Sequence, residues 1–170
     1  MRWIVCWVFF TKICGCLAQP QNTASLGYRF DVQKMDFFHT LSYRQTKNYL
    51  GMEAYAGCGH RNAFSRATFY PQMGFQLQFF PLAKQKGCFS SFHLHADASI
   101  AYLARPFAFV YPRFQCGYGF LYTLPGKQAM HHFQISHQMG IAYNTEISNV
   151  ENVPFLDYRF SLGLNYVFTK

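Results

Sequence analysis

The chain has 170 residues, with 15 Lys and Arg against 7 Asp and Glu, a net charge of +8. It is 51% hydrophobic, 20% aromatic and only 13% charged, whereas a domain facing water on all sides carries about 25% charged residues. The aromatic content excludes a disordered chain, and the length suits one domain with one core rather than a multidomain enzyme.

Met1–Ala18 reads MRWIVCWVFFTKICGCLA. Arg2 supplies a short positive start, Trp3 to Phe10 an apolar stretch, and Cys16-Leu17-Ala18 small residues at −3 and −1 before Gln19. This is the pattern of a secretory signal peptide, with cleavage expected after Ala18. Ile13-Cys14-Gly15-Cys16 also loosely fits a lipobox, which would place a lipid on Cys16 instead. Removing residues 1–18, and with them Arg2 and Lys12, leaves 152 residues carrying 13 basic and 7 acidic groups. Three cysteines then remain, Cys58, Cys88 and Cys116. An odd number is a poor disulfide framework for an exported protein. No apolar run of about 18 residues follows, so a bundle of membrane-spanning helices is excluded.

The rest alternates with a period of two, which predicts strands over 26–32, 36–44, 49–58, 67–80, 90–103, 107–123, 130–145 and 154–168. The first sets Tyr28, Phe30 and Val32 against Arg29 and Asp31; the second sets Phe37, His39, Leu41 and Tyr43 against Thr40, Ser42 and Arg44. In the third, Leu50, Met52, Ala54 and Ala56 oppose Gly51, Glu53 and Tyr55. In the fourth, Met73, Phe75, Leu77 and Phe79 oppose Gln72, Gly74, Gln76 and Gln78. The fifth turns Leu94, Ala96, Ala98 and Ile100 away from His93, His95, Asp97 and Ser99. The sixth changes parity between Tyr111 and Phe114, so a bulge is expected near Pro112. The seventh places Phe133, Ile135, Met139 and Ile141 opposite His132, Gln134, Ser136 and Gln138. The eighth places Leu156, Tyr158, Phe160, Leu162 and Leu164 opposite Asp157, Arg159, Ser161 and Gly163.

Eight such strands close into a barrel, either soluble or in a membrane. The polar face decides between them. It is Gly, Ser, Gln and Thr with sparse charges, while Lys34, Lys47, Lys84, Lys86, Lys127 and Lys170 fall in turns or at the C-terminus. A narrow lumen within an apolar exterior has that composition. The expected fold is therefore all-β: an eight-stranded antiparallel up-and-down transmembrane β-barrel over 19–170, behind a cleaved signal peptide over 1–18.

On the signal ending Leu17-Ala18-Gln19 and the aromatic closing strand with Tyr158, Phe160, Tyr166 and Phe168, the chain resembles the small eight-stranded outer-membrane β-barrel proteins of Gram-negative bacteria, the OmpA-type superfamily. The resemblance implies a place in the outer membrane among its lipids. It also implies recognition of the last strand by the barrel-assembly machinery.

Arg29, Asp31, Arg44, Glu53, Asp97, Arg113, Asp157 and Arg159 all fall on the inward parity. They are expected to form a lumenal charge network holding the barrel shut, since buried charges require partners; a gated pore for small solutes is the alternative. His93, His95 and Asp97 share one face and are weak metal candidates, because same-face neighbours on a strand lie nearly 7 Å apart. Similarity to the lipid A deacylase barrels would imply a Ser-His pair with a Glu. The residues on offer are Ser136, His137 and Glu146, but adjacent residues point to opposite faces. His93, Asp97 and Ser99 include triad residue types along one strand without an evident triad geometry. No phosphate-binding loop, zinc-finger spacing or nucleic-acid motif occurs. The expectation is a monomeric, non-enzymatic envelope component without a cofactor, with a lipid-modifying hydrolase or a narrow pore as alternatives. Cys58 and Cys88, at opposite ends of their strands, should lie about 25–30 Å apart, so no bridge between them is expected.

Overall fold

The computed structural model describes residues 22–33, 36–61, 68–83, 91–103, 109–124, 131–147 and 152–169. The two alternatives for residues 1–18 and the expected free thiol at Cys88 lie outside them. Eight strands occur in the described residues: β1 (Thr23–Gln33), β2 (Asp36–Lys47), β3 (Leu50–Arg61), β4 (Thr68–Phe79), β5 (Phe92–Leu103), β6 (Phe109–Thr123), β7 (His131–Ile147) and β8 (Asn152–Thr169). Each pairs antiparallel with its neighbours in sequence, and β8 returns to β1, closing the barrel. Closure gives every strand a neighbour on both sides and so removes the free edge strands of an open sheet.

The register fixes the barrel's dimensions. Stepping across partners from Thr23 passes Thr46, Gly51, Gln78, His95, Gly117, Gly140 and Arg159 before regaining β1 at Gln33, ten residues beyond the start. A shear of ten over eight strands gives a strand tilt of about 40° and a backbone radius of about 8 Å. A 12-residue strand such as β3 then rises about 30 Å along the axis. An interior that narrow is filled by side chains.

Alternation sorts the residues onto two surfaces. Among the described side chains, most inward positions are Ser, Thr, Gln, Asn, His and charged groups, with a few aromatic and aliphatic residues such as Phe38, Tyr55 and Leu121, and most outward positions are apolar. The two-residue turn Asn48-Tyr49 between β2 and β3 holds Asn48 at φ 54°. Asn tolerates that left-handed conformation because its short polar side chain bonds locally.

The expected bulge near Pro112 is absent. β6 runs against β5 in unbroken register from Phe109 opposite Leu103 to Phe120 opposite Phe92, with Pro112 opposite Ile100. On the other side the ladder to β7 lapses at Tyr111 and Pro112 and resumes at Val110 opposite Ile147 in the same register. Proline costs the sheet a donor, and one interrupted ladder absorbs that loss without an inserted residue. β2 also continues through Lys47, beyond its expected end at 44.

Closure is incomplete at some strand ends: Thr68–Pro71 of β4 pairs with β3 but not with β5, and β8 shows the same. β1 ends at Gln33, opposite Arg159, so Asn152–Tyr158 of β8 pairs with β7 but not with β1. Pro154 offers no N–H there, and the Tyr158 N–H bonds to the Asp157 carboxylate at 2.7 Å. Both features blunt a free edge against strand addition.

Candidate functional site

The middle of the lumen holds five charged side chains in mutual contact. On β1, Arg29 and Asp31 share the inward parity, and the Arg29 Nε lies 3.2 Å from Asp31 Oδ1. The same guanidinium reaches Glu53 of β3 at 3.5 Å and Asp97 of β5 at 3.9 Å. Arg159 of β8, delivered beside β1 by closure, contacts Asp31 directly and lies 3.5 Å from Asp97. Two cations thus face three carboxylates, and all five side chains are buried.

A polar shell of neutral groups orients them. The Tyr55 hydroxyl donates to Asp97 at 2.7 Å, and its ring lies under the Arg29 guanidinium at 3.9 Å. Gln78 donates to Glu53 at 3.1 Å and to Gln76 at 2.8 Å. Gln76 and Gln138 exchange amide bonds of 3.0 Å across the lumen. Arg159 donates to Gln115 at 2.9 Å. Tyr55, Gln76, Gln78, Gln115 and Gln138 were not among the sequence candidates, although their parity puts them on the same face.

Three of the eight charged candidates stand apart. Arg44 donates to Gln134 at 2.9 Å, and Arg113 donates to Asn144 at 3.0 Å while covering the Phe38 ring at 4.4 Å. Neither meets a carboxylate among the described residues. Asp157, half-buried, bonds the β8 backbone as described above. The eight charges therefore do not form one network; five are in contact, two cations with three carboxylates.

The histidines of β5 are held by amides. Gln115 Nε2 donates to His95 Nε2 at 3.1 Å, and Gln138 Nε2 donates to His93 Nε2 at 3.4 Å. His93 Nδ1 donates to the Ser91 carbonyl at 3.4 Å. An amide N–H can only donate, so both Nε2 atoms act as acceptors already in use. The two rings lie 6.0 Å apart, and Asp97 is engaged by Tyr55. Among the described residues no group of three or more His, Cys, Asp or Glu side chains is placed to hold a metal ion. Ser136 faces inward and accepts from Asn165 at 3.2 Å. His137 lies on the outer wall with its ring edge-on to Phe160 at 5.1 Å. Serine and histidine are thus on opposite sides of the sheet; the Glu146 side chain lies outside the described set. Cys58 and Cys116 are free and exposed on the outer face.

The arrangement defines a class: a closed eight-stranded antiparallel barrel whose small polar interior is plugged by an ion-pair cluster. Comparison with known proteins finds no matching family, no similar curated protein and no similar solved structure.

Proposed function

We propose that the chain is an outer-membrane β-barrel of a Gram-negative envelope, exported by residues 1–18, acting as a structural or small interaction component without catalysis of its own. One observation carries this reading: the hydrophobic distribution is inverted. Leu41 and Leu156 are 71% exposed and Tyr158 78%, whereas Asp31 is 0% and Arg159 2% exposed. A barrel in water would bury the former and display the latter. An apolar exterior is what lipid requires, and an aqueous compartment would expose an apolar patch of a size that drives aggregation.

Outward histidines fit the same setting because they lie against aromatic rings. His39 takes a hydrogen bond with the Tyr28 hydroxyl and lies 5.1 Å from the Phe30 ring. His131 stacks on Tyr166 at 5.8 Å. The partners this reading names are outer-membrane lipids and, through β8, the barrel-assembly machinery; the barrel acts as a monomer and takes no nucleic acid.

The test is expression of the whole chain in a Gram-negative host followed by membrane fractionation. The protein should sediment with outer membranes and migrate differently in detergent gels before and after boiling, because a closed barrel resists detergent at ambient temperature. Recovery as a soluble periplasmic product with heat-independent migration would remove the proposal.

A further inference from the structure

The end of the lumen away from Thr23 and Thr169 contains a buried cation outside the central cluster. Arg113 is 5% exposed, with Nε donating to Asn144 and Nη1 lacking any hydrogen-bond partner. Its guanidinium lies over Phe38, which meets Tyr70 edge-on at 5.8 Å. Two residues along β4 from Tyr70 on the same face, Gln72 is 3% exposed with both amide atoms unpartnered. Gln33, at the end of β1 and 4% exposed, has an unpartnered Oε1.

These groups share one level of the barrel. Gln72 pairs with Ala101, Ala101 pairs with Tyr111, and inward-facing Arg113 lies two residues further along β6. Phe38 pairs with Gly59, which pairs with Tyr70. At Gly59 a Cβ would collide with both the Tyr70 and Phe38 rings, so glycine there leaves room for the two rings to meet beside Arg113.

We propose that this level binds a small carboxylate. A guanidinium out of water requires an opposite charge as well as hydrogen bonds, and among the described residues no carboxylate lies within ion-pair distance of Arg113. A ligand carboxylate accepts from Arg113 Nη1 and Gln72 Nε2, forming charge-assisted bonds, and the Phe38 and Tyr70 rings bound its apolar side. The other guanidinium without a carboxylate in contact, Arg44, sits cross-strand from Glu53, whose negative charge disfavours an anion there.

The inference rests on the barrel interior and not on the membrane setting, so it is tested in detergent micelles. The refolded full chain, labelled with nitrogen-15, is titrated with sodium acetate at constant ionic strength, with acetamide as the uncharged isostere. The Arg113 Nε–Hε signal, assigned by its loss in Arg113→Lys, should shift saturably with acetate and not with acetamide. The Arg44 signal should stay in place. Gln72→Leu should weaken the response about tenfold, as expected for loss of one bond to a charged group. An unsaturable shift, an equal response to acetamide, movement of the Arg44 signal alongside that of Arg113, or undiminished affinity in Gln72→Leu would each overturn the site. A barrel that binds acetate in micelles yet fractionates as a soluble protein would refute the envelope reading alone.

Discussion

Asp31 is the residue on which the central cluster turns, because it meets both Arg29 and Arg159 while wholly buried. Asp31→Asn takes the shared carboxylate from both guanidiniums, and removing one partner of a buried ion pair costs about 3–5 kcal/mol. Urea unfolding of the refolded protein should show that loss. Arg44 is the contrasting case, buried without a carboxylate in contact. Replacing a buried charge with an apolar side chain of similar volume is often neutral or stabilising, so Arg44→Met should change stability by less than about 1 kcal/mol in the same assay. Equal losses at the two positions would mean that Arg44 belongs to the cluster after all.

Among the elements, β8 carries the two features that distinguish this barrel from a uniform one. Its lower part supplies Arg159 to the cluster and turns Leu162 outward, 43% exposed, near mid-wall. Leu162→Arg should destabilise the protein in lipid vesicles by about 2–4 kcal/mol, the depth-dependent cost of a charge at mid-bilayer. A near-neutral effect would show that this wall does not face lipid. Its upper part, Asn152–Tyr158, is unpaired toward β1, with Asp157 occupying the Tyr158 N–H. Asp157→Ala frees that donor on a strand edge without a partner, so the variant should self-associate more readily in light scattering.

The whole molecule combines a shear of ten with eight strands, and that ratio sets a wall about 30 Å high around an interior too narrow to remain unfilled. The wall height matches an apolar band of about 25 Å with margins at both ends. Cys58 lies near the upper margin, three residues before the end of β3, whereas Cys116 lies mid-strand in β6 opposite Ala96. A membrane-impermeant maleimide applied to the lipid-embedded protein should therefore label Cys58 well before Cys116, and both should react once the protein is unfolded. Faster labelling of Cys116 would invert the assignment of wall height.

Strand positions, the order of hairpins and the division into two faces were legible in the sequence because alternation is local: each residue's side follows from its neighbours' parity alone. The inward parity of all eight charged candidates was legible for the same reason. What parity cannot give is the register around the closed sheet, which accumulates over eight pairings and shifts every level when one changes. Only closure brings Arg159 against Asp31, 128 residues away, leaves Arg44 and Arg113 to amide partners, and strands Asp157 at an unpaired edge. Pro112 misled the local reading, since a change of parity in sequence looks like a bulge, yet the continuous ladder to β5 holds the register through it. The sequence by itself determined which residues face the lumen; the tertiary structure decided which of them meet, because contact across a barrel depends on shear and not on spacing along the chain.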